Sequence, residues 1–357
     1  MKQYVKSALA STMTLSENKH NPVENTEKFS CGVCELNRFS DELRPVEGML
    51  GLKEEFIYRR CSNCGCLQLS NPPSDMAQYY PRNYYAFEAD SRFFCDRFPF
   101  RRKHLYFPIT AARLGWPNVF GKILQKIGSG PFITNSMRML VRPLKKNSAI
   151  LDVGCANGRE LSAFWTCGFT NLLGIDPYLS EDIHHECGVK ILKKELREVS
   201  RKFDLIMFHH VLEHLPEQLE ALKLAKERLN IGGQILVRIP LSDSKAASDY
   251  GDKWVQLDAP RHYFLHTRKS MEIASARAGL KVAKVQYDSE EFQFIGSELY
   301  KRTDMSLQEF YADYETNYKR HFQPDDSNKY REMAKLLNQS EQGDQAGFCL
   351  IANSSEQ

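Results

Sequence analysis

Two kinds of apolar segment are missing from this sequence. No run of about 18 apolar residues occurs, so no membrane-spanning helix is predicted. Residues 1–20 lack the short apolar stretch and cleavage pattern of a secretory signal. The ten cysteines do not follow a disulfide framework, because five lie between residues 31 and 66 and the others are scattered. These absences predict a cytoplasmic protein, in which clustered cysteines bind metal more often than each other.

A large excess of charge of either sign is also missing. The chain has 48 basic and 45 acidic residues, which gives a net charge of +3. Such a chain lacks the overall electrostatic footprint of a protein that binds long nucleic acids, so nucleic acid is not predicted as a partner. The 357 residues are enough for one large core and a smaller module.

From residue 147 onward, short apolar runs alternate with amphipathic stretches. Strands that alternate with helices form βαβ units, so the pattern predicts an α/β fold with a doubly wound, mostly parallel sheet. The polar stretch 290–345 is predicted to be a helical insertion before a last, antiparallel strand. The predicted strands are 148–153, 171–175, 203–208, 234–239, 281–287 and 347–352, and the predicted helices are 134–144, 159–167, 179–186, 217–229 and 268–278.

The part of the chain before residue 147 divides into three segments by composition. Residues 1–28 are predicted to be a mobile tail, 29–75 hold two cysteine pairs, and 76–146 form an aromatic-rich helical connector. Tyrosines of this connector can pack between domains or stack on a sugar or base. These tyrosines are Tyr79, Tyr80, Tyr84 and Tyr85.

The two cysteine pairs have the spacing of a zinc site. Cys31-x-x-Cys34 and Cys61-x-x-Cys64 can each form a tight turn, and together they offer four thiolates for a closed, structural Zn²⁺ site. The alternatives are a reactive redox pair or buried unpaired cysteines. Cys66 is predicted to be a packing residue. The sequence thus predicts a zinc-ribbon module too small to fold on its own core.

A glycine-containing turn follows the first predicted strand of the large domain. Gly154 and Gly158 permit close approach of a ligand, and the next helix presents free N–H groups. Asp176, after the second strand, can accept hydrogen bonds from ribose hydroxyls. The turn alone is consistent with a dinucleotide site. However, its pattern is D-x-G-x-x-x-G, and the leading Asp152 would repel a pyrophosphate but attract an amino group.

In these residues the chain resembles the class I methyltransferases that use S-adenosylmethionine. The resemblance rests on Asp152-Val-Gly-Cys-Ala-Asn-Gly158, Gly174-Ile-Asp176, the segment 203–215 and the segment 229–237, which occur in the family's order. It implies a Rossmann-like, seven-stranded sheet with the cofactor at the carboxyl ends of the strands. The cofactor contacts it implies involve Asp152, Gly154, Cys155, Ala156, Gly158, Asp176, Pro177, Phe208 and His209.

Together with the cysteine module, the aromatic connector resembles zinc-containing bacterial methyltransferases. Some of these methylate carbons or hydroxyls of nucleotide-linked sugars, and related ones act in surface-polysaccharide pathways. They carry a base on a loop after the fifth strand. Here that loop contains Pro260-Arg-His-Tyr263, where the family commonly has Tyr-x-Glu-His.

Two histidine-containing clusters follow the fourth and fifth strands. The predicted catalytic residues are His262 as general base, with Tyr263 and His210. Arg261 and His214 are predicted to bind the substrate. The alternatives are that His262 serves the loop turn, that Arg261 forms a surface ion pair, and that Glu213 and His214 brace their loop. His210, Glu213, His214 and His262 are also a candidate second metal site.

The sequence therefore predicts a methyltransferase for a small molecule, either a nucleotide-linked sugar or a glycan or lipid precursor, methylated on carbon or oxygen. S-adenosylmethionine and structural Zn²⁺ are the predicted cofactors. A second hypothesis is an RNA methyltransferase that holds RNA with its zinc module. A third is a non-catalytic binding protein that retains the fold.

Overall fold

The computed structural model describes residues 29–80, 94, 99–126 and 130–353. The predicted tail at 1–28 and two of the connector tyrosines, Tyr84 and Tyr85, lie outside these residues. Among the described residues, no helix combines the length and the hydropathy needed to cross a lipid bilayer.

An eight-stranded sheet forms the centre of the large domain. Its order is β11-β12-β9-β8-β4-β5-β7-β6, and β4, β5, β7, β8 and β9 are mutually parallel where they pair. The strands are β4 (Ala149–Val153), β5 (Asn171–Ile175), β6 (Ile183–His184), β7 (Lys190–Leu192), β8 (Phe203–His209), β9 (Leu229–Pro240), β11 (Leu280–Tyr287) and β12 (Gln345–Ala352). The predicted doubly wound, mostly parallel fold is confirmed.

The central strands are buried on both faces, as their continuous apolar sequences predict. All five residues of β4 are buried. Leu151 and Val153 belong to the core on one side of the sheet, and Ile150 belongs to the core on the other side. This alternation follows from the two-residue period of a strand and requires helices on both faces.

Four helices flank the sheet directly, a fifth (α6) packs against the small sheet of the cysteine module, and four more form the insertion before β12. The flanking helices are α3 (Asn135–Met139), α4 (Arg159–Thr166), α5 (Gln218–Glu227) and α7 (Arg268–Arg277), and α6 is Lys245–Tyr250. The insertion contains α8 (Phe292–Arg302), α9 (Leu307–Ala312), α10 (Tyr314–His321) and α11 (Asp326–Gln339). β12 pairs antiparallel with both β9 and β11, so these four helices lie between two antiparallel strands.

Two predicted helices differ from the structure. The segment 179–186 is not helical, because it enters a hairpin in which β6 pairs antiparallel with β7 and Gly188 turns the chain with φ 90°. This hairpin supplies the eighth strand of the sheet. The helix predicted over 134–144 is limited to α3, because Leu140 is already extended and Pro143 follows shortly after it.

Helices α1 and α2 precede the large domain in the connector. α1 (Phe107–Arg113) continues a helical segment that begins at Pro99, and α2 (Val119–Leu124) packs against it. The side chain of Asn118 caps α2 by accepting a hydrogen bond from the Gly121 N–H.

A separate four-stranded antiparallel sheet contains the cysteine module. Its order is β1 (Phe39–Leu43), β2 (Tyr58–Cys61), β3 (Leu67–Leu69) and β10 (Phe264–Leu265). The last strand comes from the loop that follows β9, almost 200 residues further along the chain than β3. Phe264 pairs with Gln68 and Leu265 pairs with Leu67. The module is therefore joined by backbone hydrogen bonds to the loop that carries His262.

A buried ion pair reinforces this junction. Arg261 is fully buried, and its guanidinium donates to Glu47 of the module (3.2 Å) and to Asp258 (2.6 Å). Glu47 also accepts hydrogen bonds from backbone N–H groups at 49, 50 and 52. This placement favours a structural role for Arg261 over the predicted substrate contact, because the guanidinium has no exposed surface. A guanidinium that donates to two carboxylates is well compensated in a buried environment.

Replacement of Arg261 by leucine is expected to lower the free energy of unfolding by about 3–5 kcal/mol, because Glu47 would remain buried without its counter-charge. Urea denaturation monitored by tryptophan fluorescence measures this change. Arg268→Ala is the matched control, since that side chain pairs with Glu272 and Glu341 while 41% exposed and should cost less than about 1 kcal/mol. Equal losses in the two variants would contradict the structural role of Arg261.

Candidate active site

A glycine-containing turn joins β4 to α4 at the carboxyl edge of the sheet. Gly154 (φ 66°) and Gly158 (φ 83°) have left-handed backbone conformations, and Ala156 between them does as well (φ 44°). A Cβ atom on Gly154 would lie 2.6 Å from Val211 Cγ2, so a larger residue does not fit there. The turn thus exposes its backbone to a ligand in the crevice at the strand ends.

Three carboxylates surround this turn. Asp176, directly after β5, accepts hydrogen bonds from the backbone N–H groups of Ala156 (3.0 Å) and Tyr178 (2.9 Å). Burial, and then the charges of Glu160 and Asp176, raise the pKa of Asp152 well above its usual value. Burial likewise raises the pKa of Glu160 and of Asp176.

Two oxygens of this acidic group have no hydrogen-bond donor in the described part of the chain. They are Asp152 Oδ1 and Glu160 Oε2, and both are buried. Buried polar atoms in folded proteins normally have a partner. A ligand that carries positive charge and donates hydrogen bonds would supply one and would favour the ionised carboxylates.

One arginine holds the two histidines at the end of β8. Arg238 Nη1 lies 3.0 Å from His209 Nε2 and 2.9 Å from His210 Nε2. Because a guanidinium can only donate, both Nε2 atoms accept and the ring protons lie on Nδ1. His210 Nδ1 then donates to Glu213 (3.2 Å), while Arg238 Nε donates to Asp288 (2.8 Å). The imidazoles are thereby fixed in orientation and tautomer.

A second group lies on the loops after β8 and β9. Glu213, His214 and His262 each bring one ligand atom within 4.8 Å of the other two. His214 Nδ1 donates to the carbonyl oxygen of Arg261 (3.0 Å), and His262 Nδ1 donates to that of Gln256 (2.8 Å). In each ring a backbone carbonyl oxygen therefore fixes the proton on Nδ1.

The charges of this group follow from its burial. Burial, and then the neighbouring His214, lower the pKa of His262 to about 4, so this imidazole is neutral near pH 7. Burial alone would raise the pKa of Glu213, but the hydrogen bond from His210 and the nearby imidazoles lower it to about 2. The neutral His262 imidazole beside the ionised Glu213 can accept a proton, and Glu213, His214 and His262 together could hold a divalent cation.

The remaining predicted site residues lie at different depths. Phe208 and the side chain of Cys155 are buried in the core on either side of the sheet, so they support the crevice from below. Pro177 is exposed beside Asp176. Tyr263 is half-buried, and its N–H donates to the carbonyl oxygen of Glu213 (2.8 Å).

Tyr79 and Tyr80, at the start of the connector, have different surroundings. Tyr80 stacks on Tyr178 with ring centroids 6.1 Å apart, and its hydroxyl lies 3.2 Å from His214 Nδ1. Tyr79 is buried, and its hydroxyl donates to Glu54. Tyr79 is thus a packing residue, whereas Tyr80 lies beside His214.

Three charged residues of this region were missed in the sequence. Arg238 had a signal, since it is the one charged residue in the predicted strand 234–239. Glu160 and Asp288 had no signal in the sequence. An acid in the first turn of a helix commonly interacts with the helix dipole, and an acid after a strand is common in turns.

The four paired cysteines converge at one end of the small sheet. Cys31 Sγ lies 3.6 Å from Cys64 Sγ, and Cys34 Sγ lies 3.4 Å from Cys61 Sγ. All four sulfurs lie within 4.8 Å of one another. These distances are much longer than the disulfide bond length of about 2.05 Å. They are close to the edges, about 3.8 Å, of a sulfur tetrahedron around zinc at about 2.3 Å.

Each cysteine pair lies on a turn of the same form. Glu35 N donates to Cys31 O (2.8 Å), and Gly65 N donates to Cys61 O (2.9 Å). The residue after the second cysteine is left-handed in both turns, with φ 64° at Glu35 and 74° at Gly65. Cys66 is fully buried and lies outside the four-sulfur group, which agrees with a packing role.

Comparison with known proteins agrees with the fold and the turn. Residues 132–285 match a family described as "Methyltransferase domain". The tRNA U34 carboxymethyltransferase of Nautilia profundicola is 27% identical over 142 aligned residues, which cover 35% of this chain and 45% of that protein. The chain thus spans less than half the length of this curated relative.

Solved structures of similar fold have low sequence identity. The mycolic acid cyclopropane synthase CmaA1, in complex with S-adenosylhomocysteine, is 14% identical with a TM-score of 0.36, covering 57% of this chain and 78% of that one. The mitomycin 7-O-methyltransferase MmcR is 16% identical with a TM-score of 0.32, covering 39% and 45%.

The family match contains the acid-lined turn, Asp176 and the histidine clusters. The large sheet is mostly parallel, as the class I resemblance implied, and it has eight strands instead of seven because β6 is added at one edge. The chain therefore contains a methyltransferase domain, which the family match covers at residues 132–285 and to whose sheet β12 adds a strand from outside that range.

Proposed function

We propose that this enzyme methylates a small molecule, a nucleotide-linked sugar or a glycan or lipid precursor, at an oxygen or a carbon. One observation carries the proposal. The turn 152–158 with its carboxylates and the group formed by Glu213, His214 and His262 lie at the same edge of the sheet. Between them, His209 Nδ1 lies 3.7 Å from Glu160 Oε1. A cofactor held by the acids would thus lie beside groups that can accept a proton.

The acidic residues suit the charge and the donors of S-adenosylmethionine. When bound, this cofactor supplies an electrophilic methyl group on a positively charged sulfur. Asp152 would accept hydrogen bonds from its ammonium group and use the oxygen that has no other donor. Asp176 has one hydrogen bond on each oxygen, and the lone pairs that remain would bind the ribose hydroxyls. Pro177 and Tyr178 would flank the adenine.

The histidine cluster would remove the acceptor's proton. His262 has its Nδ1 proton fixed on a backbone carbonyl, so Nε2 is the basic atom. Asp258 Oδ2 lies 3.8 Å from that nitrogen and would stabilise the imidazolium after proton transfer. The pKa of Asp258 stays low, about 2, because Arg261 outweighs the effect of burial. His210, His214 and Tyr263 would position the acceptor.

A cleft between the cysteine module and the insertion suits a polar acceptor. It has a volume of about 210 Å³, and it is lined by Ala259 and by Asp258, whose Oδ2 lies 3.8 Å from His262 Nε2. Lys53, Asp252 and Lys253 line it and offer hydrogen-bonding groups of both charges, as sugar hydroxyls require. Tyr300 of α8 closes the side formed by the insertion.

Methylation of RNA is a second candidate function. The Nautilia profundicola relative is named for a tRNA position. A tRNA substrate would need a basic surface, and residues 97–151 contain eleven lysines and arginines without an acid. Incubation with tritiated S-adenosylmethionine and either tRNA or a panel of nucleotide-linked sugars distinguishes the two candidates.

Cys31, Cys34, Cys61 and Cys64 would hold a structural zinc ion. A buried four-thiolate site leaves no open position for a substrate, so its contribution would be to folding. Thr267 Oγ1 donates to Cys64 O (2.6 Å), which connects this site to the first turn of α7. Residues 29–75 would then form a zinc module that the large domain completes with β10.

Gly154→Ala is expected to abolish measurable binding of S-adenosylhomocysteine, because the new methyl group collides with Val211 and the backbone is left-handed. Ala156→Gly is the matched variant, and it should bind at least as well as the wild type because φ 44° favours glycine. Isothermal titration calorimetry measures both. Wild-type affinity in Gly154→Ala would contradict the proposed cofactor site.

His262→Ala should lower kcat by about 100-fold or more while the affinity for S-adenosylhomocysteine changes little. His262→Asn keeps a donor for the Gln256 carbonyl and shows whether the fold alone is affected. The exposed His184→Ala is the control and should retain full activity. The measurement is methyl transfer to the acceptor found in the panel, and unchanged kcat in both His262 variants would exclude this base.

Mass spectrometry of metals should find one zinc ion per chain, lost in Cys34→Ser and retained in the exposed Cys187→Ser. The reason is that three thiolates with a serine bind zinc far more weakly than four. Zinc retained in Cys34→Ser at full occupancy would show that this cluster is not the site. Two ions per chain would indicate that Glu213, His214 and His262 also bind metal.

A further inference from the structure

The charges of this chain are unevenly distributed. Residues 97–151 contain eleven lysines and arginines and no aspartate or glutamate, whereas the rest of the chain has 37 basic and 45 acidic residues. The described part of this segment includes α1, α2 and α3, which precede the first strand of the large sheet. The segment is therefore strongly cationic, whereas the rest of the chain is slightly acidic.

Within this segment, α2 turns its apolar side away from the protein. Gly121 faces α1, because a Cβ atom there would lie 1.9 Å from the carbonyl oxygen of Pro108. With 3.6 residues per turn, Val119 and Ile123 lie on the opposite side of the helix. Val119 is 78% exposed, Ile123 is 55% exposed and Phe120 beside them is 58% exposed.

Other exposed side chains of this segment are also either large and apolar or positively charged. Phe100 is 69% exposed and Phe132 is 82% exposed, which is unusual for phenylalanine. Lys122 and Lys126 are exposed on and just after α2. Large apolar side chains next to lysines, with no acid in the segment, are the composition of a surface that lies in the interface of a lipid bilayer.

The apolar side chains favour a lipid over a nucleic acid. Proteins that bind single strands use aromatic rings for stacking and cationic groups for phosphates, and aliphatic Val119 and Ile123 contribute to neither. In a bilayer interface the same side chains enter the acyl boundary, while lysines extend to the headgroups. A second copy of the chain would be repelled by its own positive charge at this face.

We propose that the surface formed by Val119, Phe120, Lys122, Ile123 and Lys126 docks the protein on a membrane that contains anionic lipids. Binding would be peripheral and reversible, through one short apolar face and the positive charge around it. The large domain would then be held at the membrane surface, where a lipid-linked acceptor is found.

Vesicle sedimentation tests the proposal with the full chain. The protein should bind vesicles of phosphatidylcholine and phosphatidylglycerol, and binding should weaken as salt is added or as phosphatidylglycerol is left out. The combined variant Val119→Ser, Phe120→Ser, Ile123→Ser should bind these vesicles at least ~10-fold more weakly. Ile231→Ser, at a site 90% exposed in β9, is the matched control and should bind like the wild type.

Two further measurements separate this proposal from its alternatives. Isothermal titration with S-adenosylhomocysteine should give the same affinity in the triple variant and the wild type, which shows that the fold is intact and that vesicle binding is a separate property. Lys122→Glu with Lys126→Glu should remove the preference for phosphatidylglycerol. Absence of vesicle binding by the wild type would overturn the proposal. So would wild-type vesicle binding by the triple variant, salt-dependent tRNA binding without vesicle binding, or a dimer that the triple variant dissociates.

Discussion

The pairing of β10 with β3 is the contact on which the active-site architecture depends. Two residues, Phe264 and Leu265, add the last strand to the cysteine-module sheet. The residues just before them are Arg261, His262 and Tyr263. Because backbone hydrogen bonds fix β10 in register, the loop after β9 is held at the carboxyl edge of the large sheet. In the proposed function, the small sheet would therefore be a wall of the active site as well as a metal-binding module.

Side-chain contacts act on the same loop from both sides. Arg261 joins Glu47 of the module to Asp258, and the carbonyl oxygen of His262 accepts a hydrogen bond from the Tyr58 hydroxyl (2.7 Å). From the large domain, the carbonyl oxygen of Glu213 accepts from the Tyr263 N–H. These contacts hold the loop on both sides and would preorganise His262 for the proposed proton transfer.

Local signals predicted the large domain well. The apolar strands, the acid-and-glycine turn and Asp176 depend on residues close in the chain, and the structure contains them in the predicted order. The prediction was wrong for 179–186, where a two-residue strand and a glycine turn outweigh the helical pattern. Short edge strands carry too little periodicity to be distinguished from a helix.

The long-range features had no local signal. Nothing in Phe264–Leu265 indicates a partner strand in the module. From the sequence, Arg261 is predicted to bind the substrate, because its buried partner, Glu47, lies 214 positions earlier in the chain and gives no local signal. Glu160 and Asp288 likewise gain their roles only from neighbours that folding brings together. The cysteine spacing, in contrast, predicted the four-sulfur cluster correctly, because tight turns determine that geometry locally.

Hydrogen–deuterium exchange before and after removal of zinc by a chelator tests most directly whether the module and the active site form one unit. The account predicts faster amide exchange at 258–266 once zinc is removed, together with unchanged exchange in β4 and β5. Unchanged exchange at 258–266, with faster exchange limited to 29–75, would contradict it.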